Sequence, residues 1–584
     1  MIARRSTSIL LTAVLSHAAC GDDGTTSASD TADTTTGTGT TTEDDPTAAP
    51  TTAIPTTTST TTESTDSETG TTEPITSTTV NVTTSASPGT TTSETTTSET
   101  TTSTTSDTTD STTSDTADTT TTSDTTTSDT ADTSTTSDTT TTGAVDDTPP
   151  VVVLARPFDN IHLASRRLVV TGEASDDTEV VAVDLVVNGE APVALSIVPG
   201  PVLEFSADLR LRRGWNTIEI VARDAADNSG SSVRHVHLGV PVAAGGAHSL
   251  ALTNDGAWGF GRNNEGQLGV GDLVDRLVPA AALGLDDAIS LSANLNHSLA
   301  VTEAGAVVVW GRNDEGQLGQ APGADVSTPA ILDLPEVVLV AAGQRHSLAL
   351  TEDGQVWSFG LNNAGQLGRD GDALPAVVPG LEDIVAIAAG GTYSLAVDGT
   401  GAVWAWGNNT DGQLGDGMTV DSPVPKAISM VDAVAVAAGK AHTLAVAPLG
   451  SLAACGLNVS GQLGDGMNAD NELLPVAIPE FADVLTVAAS GNLSLGLAGD
   501  AALWAWGQNF SGQLGLGDNA DRPAPTPVPG LPPVRAISAG LAHSVILDEN
   551  GGVWAFGLNS FGQLGKGDSG NATNSAVPLL VALP

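Results

Sequence analysis

Five histidines recur at one position of a repeated phrase: His248, His297, His346, His442 and His543. Imidazole titrates near neutrality and is a frequent metal ligand, so such a series first suggests acid–base or metal chemistry. The spacing speaks against both. Each histidine stands in a different repeat, so none has a partner at the short separations that chelation uses. Two repeats dispense with imidazole and carry Tyr393 and Leu493 instead. The expectation is a structural hydrogen bond made once per repeat, near the inner edge of the fold. A second group, Asp176, Asp177, Asp224, Asp227 and Asn228, offers oxygen atoms of the kind that bind Ca²⁺. The same residue types build turns without an ion, and turn chemistry is the preferred reading. There is no nucleophile–base–orienter grouping, no Gly-Lys-Ser/Thr phosphate cradle, no His-Glu-x-x-His and no paired-cysteine metal signature. No catalytic residue, cofactor or metal ligand is therefore assigned.

What must position these residues is a repeat. The phrase Asn-x-x-Gly-Gln-Leu-Gly begins at Asn263, Asn313, Asn362, Asn409, Asn458, Asn509 and Asn559, in steps of 50, 49, 47, 49, 51 and 50 residues. A period in this range marks a propeller or solenoid of one repeated supersecondary unit. Each unit reads as about four short strands: a small apolar strand, Ala-Gly-x-x-His-Ser-Leu-Ala-Leu as at 342–350, a strand such as Val356-Trp-Ser-Phe-Gly360, and an apolar strand after the loop. The pairs Asp255-Gly256, Asp353-Gly354 and Asn550-Gly551 suit type I′ hairpin turns. The first loop glycines, Gly266, Gly316, Gly365, Gly412, Gly461, Gly512 and Gly562, suit positive φ, where a Cβ costs about 1 kcal/mol or more. Trp404/Trp406 and Trp504/Trp506 alternate across their strands, so one of each pair packs between units. Cys455 stands where other units place Trp310, Phe359, Trp406, Trp506 and Phe556, and so reads as a buried strand residue.

The histidine phrase, the Val-Trp-x-Trp/Phe-Gly strand and Asn-x-x-Gly-Gln-Leu-Gly together resemble the regulator of chromosome condensation repeats. That resemblance covers residues 240–584 and implies an all-β, seven-bladed β-propeller. Well-studied members are guanine-nucleotide exchange factors that insert a loop wedge into a small Ras-like GTPase, so the resemblance also implies that activity. The first unit begins midway through a repeat, and the C-terminus supplies the missing half. The segment 578–583 is therefore expected to pair in the same blade as the strands after Pro241 and so to close the ring.

Residues 148–239 carry short alternating strands, Arg167 to Glu173, Val180 to Val187, Asn216 to Arg223 and Val233 to Leu238, as in a β-sandwich. Ala174-Ser-Asp-Asp177, Gly214 to Asp224 and Ala226-Asp-Asn228 make this stretch resemble the immunoglobulin-like modules of bacterial surface proteins. Residues 21–147 are almost wholly Thr, Ser, Asp, Gly and Ala, with 23 Asp and Glu and no Lys or Arg. Such a segment lacks the apolar surface to offset chain entropy and is expected to be a disordered stalk. As a flexible coil its ends lie roughly 60 to 70 Å apart. Residues 1–20 read as an export signal: Arg4 and Arg5, an apolar run from Ile9 to Leu15, then small residues up to Cys20. Ala18-Ala19-Cys20 resembles a lipoprotein processing site, which implies lipidation of Cys20, although His17 stands where Leu is usual.

The net charge is −49, with −28 from residue 148 onward and only three lysines in all. A phosphate-binding face needs clustered Lys and Arg, so no nucleic-acid partner is expected. Acids follow most copies of Gln-Leu-Gly: Asp272, Asp275, Asp416, Asp421, Asp465, Asp470, Asp518, Asp521 and Asp568. They are expected to gather on one face as solvated turn residues, giving it a negative field. The expected function is an extracytoplasmic, lipid-anchored propeller, a membrane lipoprotein of the cell surface or periplasm, that binds a protein or glycan and has no catalytic role. Membrane contact is expected through the N-terminal lipid alone. Two alternatives stay open: nucleotide exchange on a small GTPase, and hydrolysis or lysis of a polysaccharide.

Overall fold

The computed structural model describes residues 146–253, 256–430, 432–468 and 470–584. It also describes the backbone of Ala13–Ser16, which runs parallel to Val484–Ser490, the innermost strand of one blade. Cys20, the export signal's end and nearly all of the stalk lie outside the described residues.

Seven antiparallel sheets, each with four strands contributed by one continuous segment, form the propeller. In the third blade the strands run Val337–Ala342, His346–Thr351, Val356–Gly360 and Ala376–Val377 from the centre outward. The centre is lined by the Ala- and Val-rich inner strands, whose small side chains let seven sheets converge. Bulkier aromatics fill the wider space between blades, with Trp310, Trp406, Trp506, Phe260, Phe359 and Phe556 all fully buried.

Ring closure differs from the sequence expectation. Ser575–Leu580 is the outer strand of the seventh blade, paired through Trp554↔Leu580, Ala555↔Leu579 and Gly557↔Ser575. The first blade is complete without it, because Val242–Ala244 already serves as its inner strand. The repeat was read half a unit out of phase, so no vacancy exists for a C-terminal strand to fill. The ends still meet: Val581 packs in one cluster with Val242, Ala244 and Phe260. The turns differ too. Gly354 (φ 82°) and Gly551 (φ 81°) take positive φ, whereas Asp353 and Asn550 do not. Gly354 N–H donates to Thr351 O at 3.0 Å. The hairpin therefore makes an ordinary turn followed by one left-handed glycine and lacks the two left-handed residues of type I′. Asp255 lies outside the described residues.

The repeated phrase joins neighbouring blades. In all seven copies the Asn Oδ1 accepts from the backbone N–H of the Leu five residues on, at 2.9 to 3.2 Å. The Gln Oε1 accepts from the N–H two residues back, at 2.8 to 3.0 Å. The loop so rigidified presents the Gln carbonyl to the next blade, where a Ser or Thr hydroxyl donates to it in every case, as Ser298 does to Gln267 at 2.9 Å. Ser249 of the first blade does the same to Gln563 of the seventh at 2.8 Å, which closes the circle. Trp310, Trp406 and Trp506 add an indole N–H to the same carbonyls. Cys455 replaces that indole in the fifth blade, fully buried, and burial pushes its thiol up to about 12.

Ahead of the propeller, Arg167–Val187 is one long strand shared by two groups of neighbours. Its first half pairs with Val151–Arg156 and Gly200–Arg210, its second with Gly214–Asp224 and Val193–Ala194. Ser229–Leu238 and Ile161–Leu163 complete the second group. The register shift between Ser175 and Val180 separates the two groups. All four strands read from the sequence fall inside these elements, but 167–173 and 180–187 are halves of one continuous strand, and the turn expected at 174–177 is instead an irregularity within it.

Candidate functional site

Each of the five histidines ties its blade to the next. His248, His297, His346, His442 and His543 are buried, and each Nε2 lies 2.9 to 3.0 Å from a Ser Oγ of the following blade. That hydroxyl donates its proton to the Gln carbonyl, so it must accept from imidazole, and Nε2 carries the hydrogen. Tyr393 substitutes by donating from its hydroxyl to the His442 carbonyl. Leu493 makes no such bond, and sequence spacing alone could not reveal that the acceptor lies about 50 residues away on the next blade.

Burial holds His346 and His442 down to about 3 and His543 to about 4, far below the usual value of about 6.5. Unfolding releases groups that take up protons below about pH 6.5 while the native forms stay neutral. Their stabilisation is thus complete above pH 6.5 and is lost as the pH falls toward 3 to 4. At pH 5 each such histidine accounts for about 2 kcal/mol of acid destabilisation. Urea unfolding at pH 7.5 and pH 5 checks this: His346→Gln should lessen the stability lost between those values by about 2 kcal/mol. An unchanged difference would refute the neutral, buried assignment.

The two faces of the propeller are unequal. One carries the turns between second and third strands and the connections between blades, and the sandwich stands on it. Five of its arginines bind acids there: Arg156 with Asp483, Arg166 with Glu352, Arg167 with Asp432 at 2.7 Å, Arg210 with Asp383, and Arg213 with Glu336 at 3.7 Å. These acids span the blade connections and turns of the second to sixth units. Backbone contacts reinforce the pairing, since Arg166 N–H donates to Val385 O at 3.0 Å and Arg213 Nε to Glu303 O at 2.9 Å. Arg535 reciprocates from the seventh blade, lying 5.1 Å from the Phe158 ring centroid and donating to Asp159 O.

The opposite face carries the Asn-x-x-Gly-Gln-Leu-Gly loops, and no domain among the described residues stands on it. Its seven loops, 262–275, 312–325, 361–375, 408–421, 457–471, 508–521 and 558–574, hold sixteen Asp and Glu against four Arg and Lys. All nine acids expected to gather lie on these loops, and many have a structural task. Asp275, Asp421 and Asp521 each accept from the backbone N–H of the loop Asn, at 2.7 to 2.8 Å. Hydrogen bonds from Arg276 and Arg522 hold Asp272 and Asp518 below the usual carboxylate range. The charge is still displayed, and beside it lies an apolar arc absent from the sequence reading. Phe510 is 57% exposed and Val459 55% exposed at the same loop position of adjacent blades, with Met418 and Met467 exposed on the loops beside them. Phe561 extends the arc, with Arg262 of the first blade 5.3 Å from its ring centroid.

The oxygen-rich group divides. Asp176 and Asp224 meet Asp146, with carboxylate oxygens within 4.8 Å of one another, whereas Asp177 and Asp227 stay apart. Asp224 is buried and accepts from Asn228 N–H at 2.8 Å and Asn228 Nδ2 at 2.7 Å; Asp176 Oδ1 accepts from Thr178 Oγ1 at 2.7 Å. These three carboxylates could hold a divalent cation, and their hydrogen bonds also tie Asp146 to the sandwich.

Residues 224–536 match the model of the RCC1-like domain, and 534–563 that of the regulator of chromosome condensation (RCC1) repeat. The Ultraviolet-B receptor UVR8 of Arabidopsis thaliana is 39% identical over 95 residues, 16% of this chain and 22% of the relative. Protein RCC2 of Homo sapiens is 44% identical over 88 residues, 14% of this chain and 17% of the relative. The chain thus spans about a fifth of the length of these relatives. Human WBSCR16 superposes with a TM-score of 0.51 at 26% identity, covering 56% of this chain and 94% of that one. Prp20p of Saccharomyces cerevisiae gives 0.52 at 26%, covering 57% and 87%.

Proposed function

Because the chain belongs to the RCC1-like domain family, we propose that it acts by binding another macromolecule through the open face of its propeller. The observation that carries this reading is the inequality of the faces: the sandwich occupies one with five arginines, and the other presents an acidic field beside exposed Phe510, Val459 and Phe561. Such a surface suits a protein segment with basic and apolar side chains, since complementary charge speeds encounter while aromatic anchors hold the complex. Prp20p is described with binding to Gsp1p and histones, which is compatible with a basic partner here.

The proposal includes location. The export signal and Cys20 would place the chain outside the cytoplasm on a lipid anchor, with the stalk and an immunoglobulin-like spacer giving reach. Under this reading no cytoplasmic GTPase is met. The loop lengths also offer no distinct wedge, since the longest, 558–574, exceeds the shortest by three residues. A glycan remains the other class of ligand for this face.

The test is quantitative capture from cell-surface extracts by the full chain and by a Val459→Ser, Phe510→Ser, Phe561→Ser variant. All three side chains are exposed, so the fold should tolerate the change. The variant is expected to retain less than a tenth of the captured partner, and 0.5 M salt should weaken capture by the native chain. Undiminished capture by the variant would defeat the assignment of the face.

A further inference from the structure

Where the sandwich meets the first, second and seventh blades there is a cavity of about 400 Å³. It lies at the covered end of the propeller, so it is separate from the open face. Its sandwich wall consists of His162, Trp215 and His237, three rings in mutual contact with centroids 4.8 to 5.4 Å apart. Its propeller wall includes Leu252, Ile289 and Leu547, and Thr253 and Asn550 add uncharged polar groups. Trp215 is 55% exposed, unusual for an indole standing in a strand against a second domain. The Nδ1 of His162 is buried and has no hydrogen-bond partner in the protein.

The composition of the walls restricts the occupant. Among the described residues no Asp, Glu, Lys or Arg lines the cavity. Burial keeps His162 and His237 neutral, at about 3 and about 4, so they add no charge near neutral pH. An ion would lose its hydration with no charged side chain on the described wall to replace it, which costs several kcal/mol. A wholly apolar ligand would cover the Asn550 amide without answering it. What fits is a neutral molecule with an apolar face for the indole and hydroxyl groups for Thr253 and Asn550. The volume lies near the lower end of the range of about 300 to 1,000 Å³ typical of small-ligand pockets.

We propose that this cavity binds one neutral sugar residue, stacked on Trp215 and hydrogen-bonded by Thr253 and Asn550. The site would engage a glycan terminus at the junction of sandwich and propeller, whatever the open face binds.

Saturation-transfer NMR on the full chain tests it, with millimolar methyl glycosides of glucose, galactose, mannose and N-acetylglucosamine. Methyl glucuronide serves as the charged analogue and indole as the apolar one. At least one neutral glycoside is expected to receive saturation, and the glucuronide none. Trp215→Ala and Asn550→Ala, each checked for unchanged thermal unfolding, should reduce that transfer at least tenfold. The proposal is overturned if no neutral glycoside responds, if indole responds and the glycosides do not, or if both folded variants bind as the native chain does. Because the open-face variant leaves this cavity intact, glycoside binding should survive in it, so failure of either reading is seen separately.

Discussion

Replacing Gly512 by alanine should destabilise the propeller by at least about 4 kcal/mol, while the same change at Gly530 should cost about 1 kcal/mol. Both glycines have left-handed backbones, with φ of 79° and 81°, so the conformational penalty is shared. They differ in what a new methyl group meets. At Gly512 it would lie 2.4 Å from Cα of Ala576, in the outer strand of the next blade; at Gly530 nothing lies within 4 Å. The clash is with backbone, so relief requires two blades to part, and the buried hydrogen bond that Ser544 donates to the Gln513 carbonyl is strained with them. Urea unfolding of the two variants checks the claim. Equal losses would mean that the loop glycine serves only its own turn and does not seat one blade on another.

The second large effect concerns the arginine contacts beneath the ring. Arg166→Ala is expected to cost about 2 to 3 kcal/mol and to expose the sandwich–propeller junction to protease. The Arg166 side chain is only 7% exposed and donates to the Glu352 carboxylate and carbonyl, both at 2.5 Å. Glu352 is 44% exposed, and solvent screening keeps the figure below that of a fully buried pair. Arg212→Ala provides the contrast. Its partner Glu190 belongs to the same sandwich and both side chains are substantially exposed, so the loss should stay under about 1 kcal/mol. If the two substitutions prove equivalent, the sandwich is not held to the ring by its arginines.

The contrast between these two cases explains what the sequence could reveal. A glycine, asparagine and glutamine that return every fifty residues advertise a loop, and Gly512 is legible because six equivalents stand beside it. Blade number and strand order follow from the same periodicity. Phase does not. A strand as short as Val242–Ala244 leaves so faint a pattern that the first blade looked incomplete. The arginines at 156, 166, 167, 210 and 213 follow no period, and their acids lie 123 to 327 residues further along. Only the folded ring brings Asp383, Asp432 and Asp483 onto one side, which made the covered face invisible beforehand. The exposed side chains of Val459 and Phe510 occupy a variable position inside a regular motif. The period identified that position as a loop and said nothing of which blades carry apolar residues there.

The acidic loops combine the two roles that their residue types suggest. Asp275, Asp421 and Asp521 lie on one acidic face, and each accepts the N–H of its own loop asparagine. Their charge is a by-product of closing the loop, and it becomes useful only because the sandwich leaves that side uncovered.

The most direct test of the whole account is site-specific photo-crosslinking on the cells that make the protein, with p-benzoylphenylalanine placed at Phe510 or at Glu382. The first position stands on the open face and the second beside Asp383, which Arg210 of the sandwich binds. At Phe510 light should produce adducts larger than the chain itself, and at Glu382 it should join the propeller only to its own sandwich. Intermolecular adducts from Glu382, with none from Phe510, would contradict the account.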